Sequence, residues 1–229
     1  WMYTKGFDGS SPFIAVRNPY YWKVDPEGNQ LPYIDRQVYT ITQDNQVLVM
    51  KVIAGELDFQ DLYIGGVDNK ALYAENADKA NLRFIETRSA GASAFPVGLN
   101  LTHKDPAKRQ LFQNKDFRIA LSHAINREEI NQVIFAGQAQ PAQISPLPGS
   151  PFYDEEMEKQ YLEYDPDKAN RILDGIIPNR DKEGFRLGLD GKDLGILMTV
   201  TSSYQTYIDS FEMIKNYWAA VGIRSAVKA

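Results

Sequence analysis

Few side chains in this sequence have the types and spacing that enzymatic chemistry requires. The chain contains no cysteine, which excludes thiolate nucleophiles, thiolate metal ligands and disulfide bonds within it. Its two histidines, His103 and His123, do not form a His-x-x-x-His pair, so a metal site would need carboxylates from scattered positions. We therefore predict no catalytic residue, no metal site and no cofactor.

The sequence motifs that hold phosphates or activate a serine are also absent. There is no Gly-x-x-x-x-Gly-Lys-Ser/Thr loop and no Gly-x-Gly-x-x-Gly, which removes the usual backbone cradles for nucleotides. No Gly-x-Ser-x-Gly turn presents a serine nucleophile. The 30 acidic residues could still supply two facing carboxylates for glycoside cleavage, so a carbohydrate hydrolase stays open as an alternative.

Two features that superficially suggest ligand sites have structural interpretations. Residues 25–29 (DPEGN) suggest a calcium loop, but Pro26 and the lack of a closing glutamate break the required order of ligands, which predicts a turn. His123 lies beside apolar Leu121 and Ala124 in a predicted helix. This setting favours a structural histidine over a ligand.

The composition is that of a folded, acidic protein. Hydrophobic residues make up 43% and charged residues 24% of the 229 residues, close to the globular averages. The formal net charge is -5, and no run of more than two Lys or Arg occurs, which argues against a nucleic-acid partner. No apolar stretch approaches the roughly 20 residues of a membrane helix. No leader precedes Trp1, and we expect a piece cut from a longer precursor.

The first part of the sequence alternates between predicted strands and helices. Residues 12–17 and 37–42, rich in β-branched and aromatic residues, predict a hairpin with a long loop. A helix is predicted at 46–54, with Asp44 as its N-cap and Gly55 as its C-terminal stop. Its apolar stripe, at spacings of three, consists of Val47, Met50 and Ile53. The other predicted elements of this part are strand 57–59, one or two helices in 67–80 and strand 82–87.

The second part is predicted to hold longer helices and a β-α-β unit. The helix at 114–125 has apolar residues at helical spacing, and Asn126 with Glu129 forms a capping box for the next helix. A proline-rich surface loop is predicted at 137–151. A buried strand or domain crossing is predicted at 97–101, and a helix is predicted from Asp165 to near Gly175. The last predicted elements are strand 194–201, helix 207–221 and strand 223–228. Their β-α-β order favours a parallel pairing of the two strands.

Three groups of short motifs follow one another along nearly the whole chain. The first group is 17–22 (RNPYYW), 31–36 (LPYIDR) and 53–58 (IAGELD). The second group is 98–101 (GLNL) and 117–127 (FRIALSHAINR). The third group is 164–170 (YDPDKAN) and, after the last predicted helix, Gly222 and Ile223.

In order and spacing these motifs resemble the family 5 extracellular solute-binding proteins, which are the peptide, nickel and oligosaccharide binding components of ABC importers. The resemblance implies an α/β, periplasmic-binding-protein-like fold of type II, with mixed sheets and two lobes. It assigns residues 1–96 to part of the first lobe and 97–229 to part of the second, with a boundary near Pro96. Because members of the family are far longer, we expect an excised middle portion, an incomplete two-lobe fragment.

The resemblance also implies a protein that captures a ligand between two lobes and delivers it to an ABC permease, rather than an enzyme. By position, the residues expected to line the ligand pocket are Asp61, Leu62, Tyr63, Ser93 and Phe95. An oligopeptide is the expected ligand and an oligosaccharide the alternative. We expect a monomer, periplasmic or extracytoplasmic, that reaches the membrane through the transporter, and weak binding by this chain alone. The ligand domain of a regulator is the alternative from another class.

Overall fold

The chain forms two compact units. The structure is a computed structural model that describes residues 1–6, 8–9, 11–60, 62–85, 93 and 95–229. The units are Trp1–Arg83 and Phe84–Ala229. Their division falls upstream of the boundary expected near Pro96, and Phe95 packs against the core of the second unit. The assignment of residues 1–96 and 97–229 to two lobes stays a prediction.

A three-stranded antiparallel sheet opens the first unit. Its strands are β1 (Met2–Tyr3), β2 (Phe13–Val16) and β3 (Arg36–Tyr39), in the order β1-β2-β3. The β2–β3 pairing confirms the predicted hairpin, and the rings of Phe13 and Tyr39 stack across it at 4.6 Å. In the connecting loop, Asp25 accepts hydrogen bonds from the backbone N–H groups of Glu27 and Asn29, which confirms the predicted turn.

Two helices complete the first unit, α1 (Asn45–Ile53) and α2 (Val67–Ala80). The Asp44 side chain accepts from the N–H of Gln46, and Gly55 adopts a φ of +72°, so both predicted ends of α1 are confirmed. Residues 67–80 form a single helix. The buried cluster of this unit consists of Leu48, Val49, Val52, Ile64 and Tyr73.

The predicted apolar stripe of α1 is wrong. Val47 and Met50 are exposed, whereas Leu48, Val49 and Val52 are buried. The helix carries apolar residues on more than one side, so its sequence defines two possible stripes. Packing against α2 selects the second stripe.

The strands predicted at 57–59 and 82–87 are not found among the described residues, and 97–101, predicted as a strand or a domain crossing, is not a strand. Residues 57–59, 82–85 and 97–101 belong to no helix or strand, and residues 86 and 87 lie outside the described residues. Their β-branched and aromatic composition favoured strands, but a strand also needs a neighbour to satisfy its backbone groups. None of the described residues pairs with these segments as a strand.

The second unit is built mainly from helices that begin at side-chain caps. Asp105, Asn114, Asn126 and Asp165 each accept a backbone N–H in the first turn of the following helix. The helices of this unit in the described chain are α3 (Pro106–Gln113), α4 (Lys115–His123), α5 (Arg127–Phe135), α6 (Glu155–Lys159), α7 (Pro166–Asp174) and α8 (Gln205–Ala220). Residues 137–151 contain no helix or strand, as predicted.

A parallel β-α-β unit closes the second unit. Strands β4 (Ile196–Thr199) and β5 (Ser225–Lys228) pair in parallel on either side of α8 in the sequence, which confirms the prediction. The core contains Phe117, Leu173 and Trp218, and the indole N–H of Trp218 donates to the carbonyl of Leu121 at 3.2 Å. Among the helices of the described chain, none combines the length and apolar character needed to cross a bilayer.

Candidate functional site

The second unit contains a pocket of about 760 Å³, within the size range of small-molecule sites. Its walls come from α4, α5, α8, the chain at 93 and 95–99, the 139–144 loop, and residues 160–161. All of these elements belong to the second unit. The pocket is therefore a property of one unit of the chain.

Helix α4 places one face in the core and another against the pocket. Phe117 and Ala120 are fully buried. Residues at three- and four-residue spacing on a different side line the pocket, namely Lys115, Arg118, Ile119 and Ser122. The same helical period that builds the core thus also presents a mixed polar surface to the pocket.

The floor of the pocket is apolar. Phe95 lies nearly parallel to the ring of Phe135, with centroids 5.9 Å apart, and also contacts the ring of Phe211 at 6.2 Å. Other apolar lining residues are Ile125, Ile130, Ile214 and Trp218. Such a floor can bury aliphatic or aromatic groups of a ligand.

One wall is held by a hydrogen-bond network centred on Ser122. Its hydroxyl donates to the carbonyl of Tyr161 at 2.8 Å and accepts from Nη2 of Arg127 at 2.7 Å and from Nε2 of Gln143 at 3.0 Å. Gln143 also donates its backbone N–H to the carbonyl of Glu158 at 2.8 Å. The hydroxyl is fully used, and the network fixes the 139–144 loop against α4 and α5.

The charges that line the pocket are all positive. Lys115, Arg118 and Arg127 are lining residues, and no Asp or Glu is among the described lining residues. Burial lowers the pKa of Arg127, and the carboxylate of Glu163 opposes that shift. The guanidinium remains charged, because an unperturbed arginine titrates above pH 12.

The described part of the pocket offers apolar and hydrogen-bonding groups that suit ligand binding. The described lining contains no histidine and no carboxylate pair, and the hydroxyl of Ser122 is engaged with three partners. His123 points elsewhere: it is fully buried, and its Nδ1 lies 3.1 Å from the carbonyl of Glu163. Across the described residues, no three His, Asp or Glu side chains gather into a possible metal site.

The pocket residues expected from the sequence fall into three groups. Ser93 and Phe95 both line the pocket of the second unit. Leu62 and Tyr63 belong to the first unit, where both are exposed and Tyr63 has a φ of +66°, a conformation uncommon outside glycine. Asp61 lies outside the described residues.

The polar lining residues on α4 and α5 were not identified from the sequence. They are Lys115, Arg118, Ser122 and Arg127. A signal was present, because Lys115, Arg118 and Ser122 recur at spacings of three and four on one side of the helix. Charged residues at helical spacing usually face solvent, so this pattern alone does not indicate a pocket.

Comparison with known proteins gives a match over almost the entire chain. The family described as bacterial extracellular solute-binding proteins, family 5 Middle, matches residues 4–229. The periplasmic alpha-galactoside-binding protein of Rhizobium meliloti is 28% identical, with 94% of this chain and 33% of that protein covered.

Two solved structures extend the comparison to the fold. An oligopeptide-binding protein OppA is 42% identical to this chain, with a TM-score of 0.61. The match covers 95% of this chain and 35% of OppA. The Bacillus subtilis oligopeptide-binding protein AppA, solved with a nonapeptide, is 21% identical with a TM-score of 0.75, covering 99% of this chain and 41% of AppA. The chain therefore spans about a third to two fifths of the length of these three proteins. The predicted α/β, periplasmic-binding-protein-like fold is confirmed.

Proposed function

The chain belongs to the bacterial extracellular solute-binding proteins of family 5, and on this premise we propose that its protein is the substrate-binding component of an ABC importer. In this proposal it works outside the cytoplasm, in the periplasm where one is present, and delivers its ligand to the membrane permease. It acts as a monomer and catalyses no reaction on the ligand.

The proposed ligand is an oligopeptide, held where two lobes meet. The observation that carries this proposal is the pocket of about 760 Å³, which contains Ser93 and Phe95, two of the residues expected from the sequence. Its apolar floor suits peptide side chains, and its amide and hydroxyl groups suit the peptide backbone. Leu62, Tyr63 and Asp61 are proposed to contact the ligand from the first lobe.

A neutral oligosaccharide is the second candidate. The α-galactoside-binding relative favours it, as do the aromatic ring of Tyr161 and the amides of Gln140, Gln143 and Gln160 in the lining. Amides and aromatic faces are suited to the hydroxyl groups and the apolar faces of sugars. The carboxylate pair that a glycoside hydrolase needs is not found among the described lining residues.

Isothermal titration calorimetry tests the proposal with a panel of di- to pentapeptides and a panel of neutral oligosaccharides. The titrations use the full-length gene product and, in parallel, the chain 1–229. We expect saturable binding of peptides by the full-length product and weaker binding by the chain, because affinity depends on enclosure by both lobes. Ligands recovered afterwards should be chemically unchanged.

A pair of variants connects binding to the pocket. Phe95→Ala should weaken peptide binding about tenfold, since a buried aromatic anchor is commonly worth more than 1 kcal/mol. Phe152→Ala is the control, because Phe152 belongs to the same unit, is 79% exposed and does not line the pocket. Binding of sugars alone would favour the second candidate. Turnover, or failure of both panels, would contradict the proposed function.

A further inference from the structure

One wall of the pocket is a segment without regular structure. Residues 139–144, which line the pocket, belong to a stretch from 139 to 148 that contains neither helix nor strand. We call residues 139–148 the strap. It contains Pro141, Pro146 and Pro148, which have no backbone N–H and a restricted φ, so the strap is stiff and has few donors. Its position therefore depends on a small number of contacts.

Few atoms attach the strap to the rest of the second unit. Within the described chain, only Ala139 and Gln143 of the strap hydrogen-bond to the surrounding helices and to residues 158–160. The N–H of Ala139 donates to Oδ1 of Asn131 at 2.9 Å, close to the start of the strap. Among the described strap residues, only Ser145 is buried. A segment with so few buried contacts and hydrogen bonds opens at a low free-energy cost.

Gln143 is the main attachment of the strap. Its backbone N–H donates to the carbonyl of Glu158 at 2.8 Å. Its side-chain Nε2 donates to Oγ of Ser122 at 3.0 Å and to the carbonyl of Gln160 at 3.1 Å. Both hydrogens of the amide are thus used, one on α4 and one on the residue that follows α6. A single side chain joins the middle of the strap to two other parts of the pocket wall.

Glycines flank the strap at both ends. Gly137 has a φ of +72° and Gly149 a φ of +95°, in the left-handed region that glycine adopts without steric cost. An added Cβ at Gly149 would meet no described atom within 4 Å, so the backbone there is uncrowded. Rotations at these two ends move the strap while its proline-containing middle keeps its shape.

The pocket side of the strap is only partly covered. Ile144 lines the pocket and is 60% exposed, and Gln140 is an exposed lining residue as well. A molecule in the pocket would cover the Ile144 side chain. Removal of this apolar surface from water favours the closed position of the strap around an occupied pocket.

We propose that the strap is a gate to the pocket and that Gln143 is its latch. This inference rests on the proposed function and adds a gate inside one unit, separate from the closure of two lobes. When both bonds of Nε2 break, the strap turns about Gly137 and Gly149 and opens the pocket. Because a ligand enters and leaves through the same opening, the latch sets both rates and leaves the affinity unchanged. Gln143 is thus a positioning residue that acts through the strap.

Gln143→Ala in the full-length gene product tests the latch by binding kinetics. The probe is the tightest-binding member of the di- to pentapeptide and neutral oligosaccharide panels. Stopped-flow tryptophan fluorescence follows its binding, because Trp218 lines the pocket. We expect the association and dissociation rate constants to rise together by about tenfold, with Kd changed by less than about twofold. The reason is that the two lost hydrogen bonds hold the closed strap in the free and the bound protein alike.

Gln110→Ala is the matched control. Gln110 belongs to the same unit, is exposed on α3 and does not line the pocket, so its variant should keep both rates. Hydrogen exchange of the unliganded proteins provides a second measurement. In Gln143→Ala we expect peptides covering 139–148 to exchange about tenfold faster than in the unsubstituted protein, with exchange in α8 unchanged.

The outcomes separate the latch from a ligand contact and from the proposed function. Faster dissociation at an unchanged association rate, with weaker affinity, would show that Gln143 contacts the ligand and would overturn the latch. Unchanged rates, or exchange that also accelerates in α8, would overturn it as well. If no member of either panel binds, the proposed function fails and exchange decides alone. Faster exchange confined to 139–148 then supports the latch, and unchanged exchange overturns it.

Discussion

Arg186 is a charged side chain that lies fully inside the second unit. Its Nε donates to the carbonyl of Val221 and its Nη1 to that of Ile177, both at 3.0 Å. Nη2 reaches Oδ1 of Asn170 at 2.9 Å and Oδ1 of Asp174 at 2.7 Å. Burial lowers the pKa of Arg186 while Asp174 opposes the shift, and the guanidinium stays charged. One side chain thus joins the end of α7 to the end of α8.

We expect Arg186→Met to lower the free energy of unfolding by about 2–4 kcal/mol. The substitution fills the space but leaves two buried carbonyls without a donor, at about 1–3 kcal/mol each. Urea denaturation measures the change. Arg171→Met is the control on α7, because Arg171 is 69% exposed with a carboxylate only at 4.0 Å, and should change stability by less than about 0.5 kcal/mol. Equal effects of both variants would contradict the structural role of Arg186.

The Asp25 carboxylate in the β2–β3 loop offers a pH-dependent test. Tyr33 donates its hydroxyl to Asp25 at 2.5 Å, and this bond, followed by those from Asn29 and Glu27, lowers the pKa of Asp25 from 3.8 to about 2. A lowered pKa in the folded state stabilises the fold above pH 3.8, and this contribution is lost as the pH falls towards 2. We expect Tyr33→Phe to raise the pKa of Asp25 part of the way to 3.8, as followed by carboxyl ¹³C NMR. An unchanged titration would show that the tyrosine is not the main cause.

Among the elements, helix α5 shows how a short local motif sets a helix start. Oδ1 of Asn126 accepts the backbone N–H of Glu129 at 3.1 Å, as the capping box predicted. The return contact differs from the prediction, because the Glu129 carboxylate accepts from the Asn126 side-chain amide rather than from its backbone N–H. The side chains of Asn126 and Glu129 therefore form the cap together at the start of α5.

We expect Asn126→Ala to lower stability by about 0.5–2 kcal/mol, the usual loss for a helix N-cap, without changing ligand affinity. Asn126 does not line the pocket, so a structural role should affect the thermal midpoint alone. Differential scanning calorimetry and calorimetric titration of the same sample separate the two quantities. A loss of affinity at an unchanged thermal midpoint would contradict this prediction.

Which elements were predictable depended on whether their signals were local. The caps Asp44, Asn126 and Asp165 and the stop at Gly55 each act within one helical turn, and the structure contains all four. The strands predicted at 57–59 and 82–87, and the strand alternative at 97–101, depended on distant partners that composition does not reveal. The parallel pairing of β4 and β5 could be predicted because α8 lies between them in the sequence and supplies the connection that parallel strands need.

The candidate site was predictable only in part, for a related reason. Ser93 and Phe95 came from resemblance to a family, since neither residue stands out by composition or spacing. The cations were visible as Lys115 and Arg118 on one side of a predicted helix, but a charged stripe usually faces solvent. These cations line a pocket because the fold brings the 139–144 loop and α5 to the same site.

At the scale of the whole molecule, the two units differ in how much apolar surface they bury. Among the described residues, the core cluster of the second unit contains twenty buried residues and that of the first contains five. Hydrophobic stabilisation grows with the apolar area removed from water. The first unit relies on a few contacts between α1, α2 and the segment around Ile64, and its Tyr73 hydroxyl donates to the Ile64 carbonyl at 3.1 Å.

This difference should appear in native-state hydrogen exchange. We expect backbone amides of α4, α7 and α8 to exchange at least about tenfold more slowly than those of α1 and α2, because local opening costs less where fewer buried contacts are broken. Exchange measured by mass spectrometry on peptides from each helix provides the comparison. Ile64→Ala should accelerate exchange in α1 and α2 while leaving α8 unchanged, since Ile64 belongs to the smaller cluster. If α1 and α2 exchange as slowly as α8 in the unsubstituted protein, the two units open as a single cooperative structure, and the difference in core size does not govern their stability.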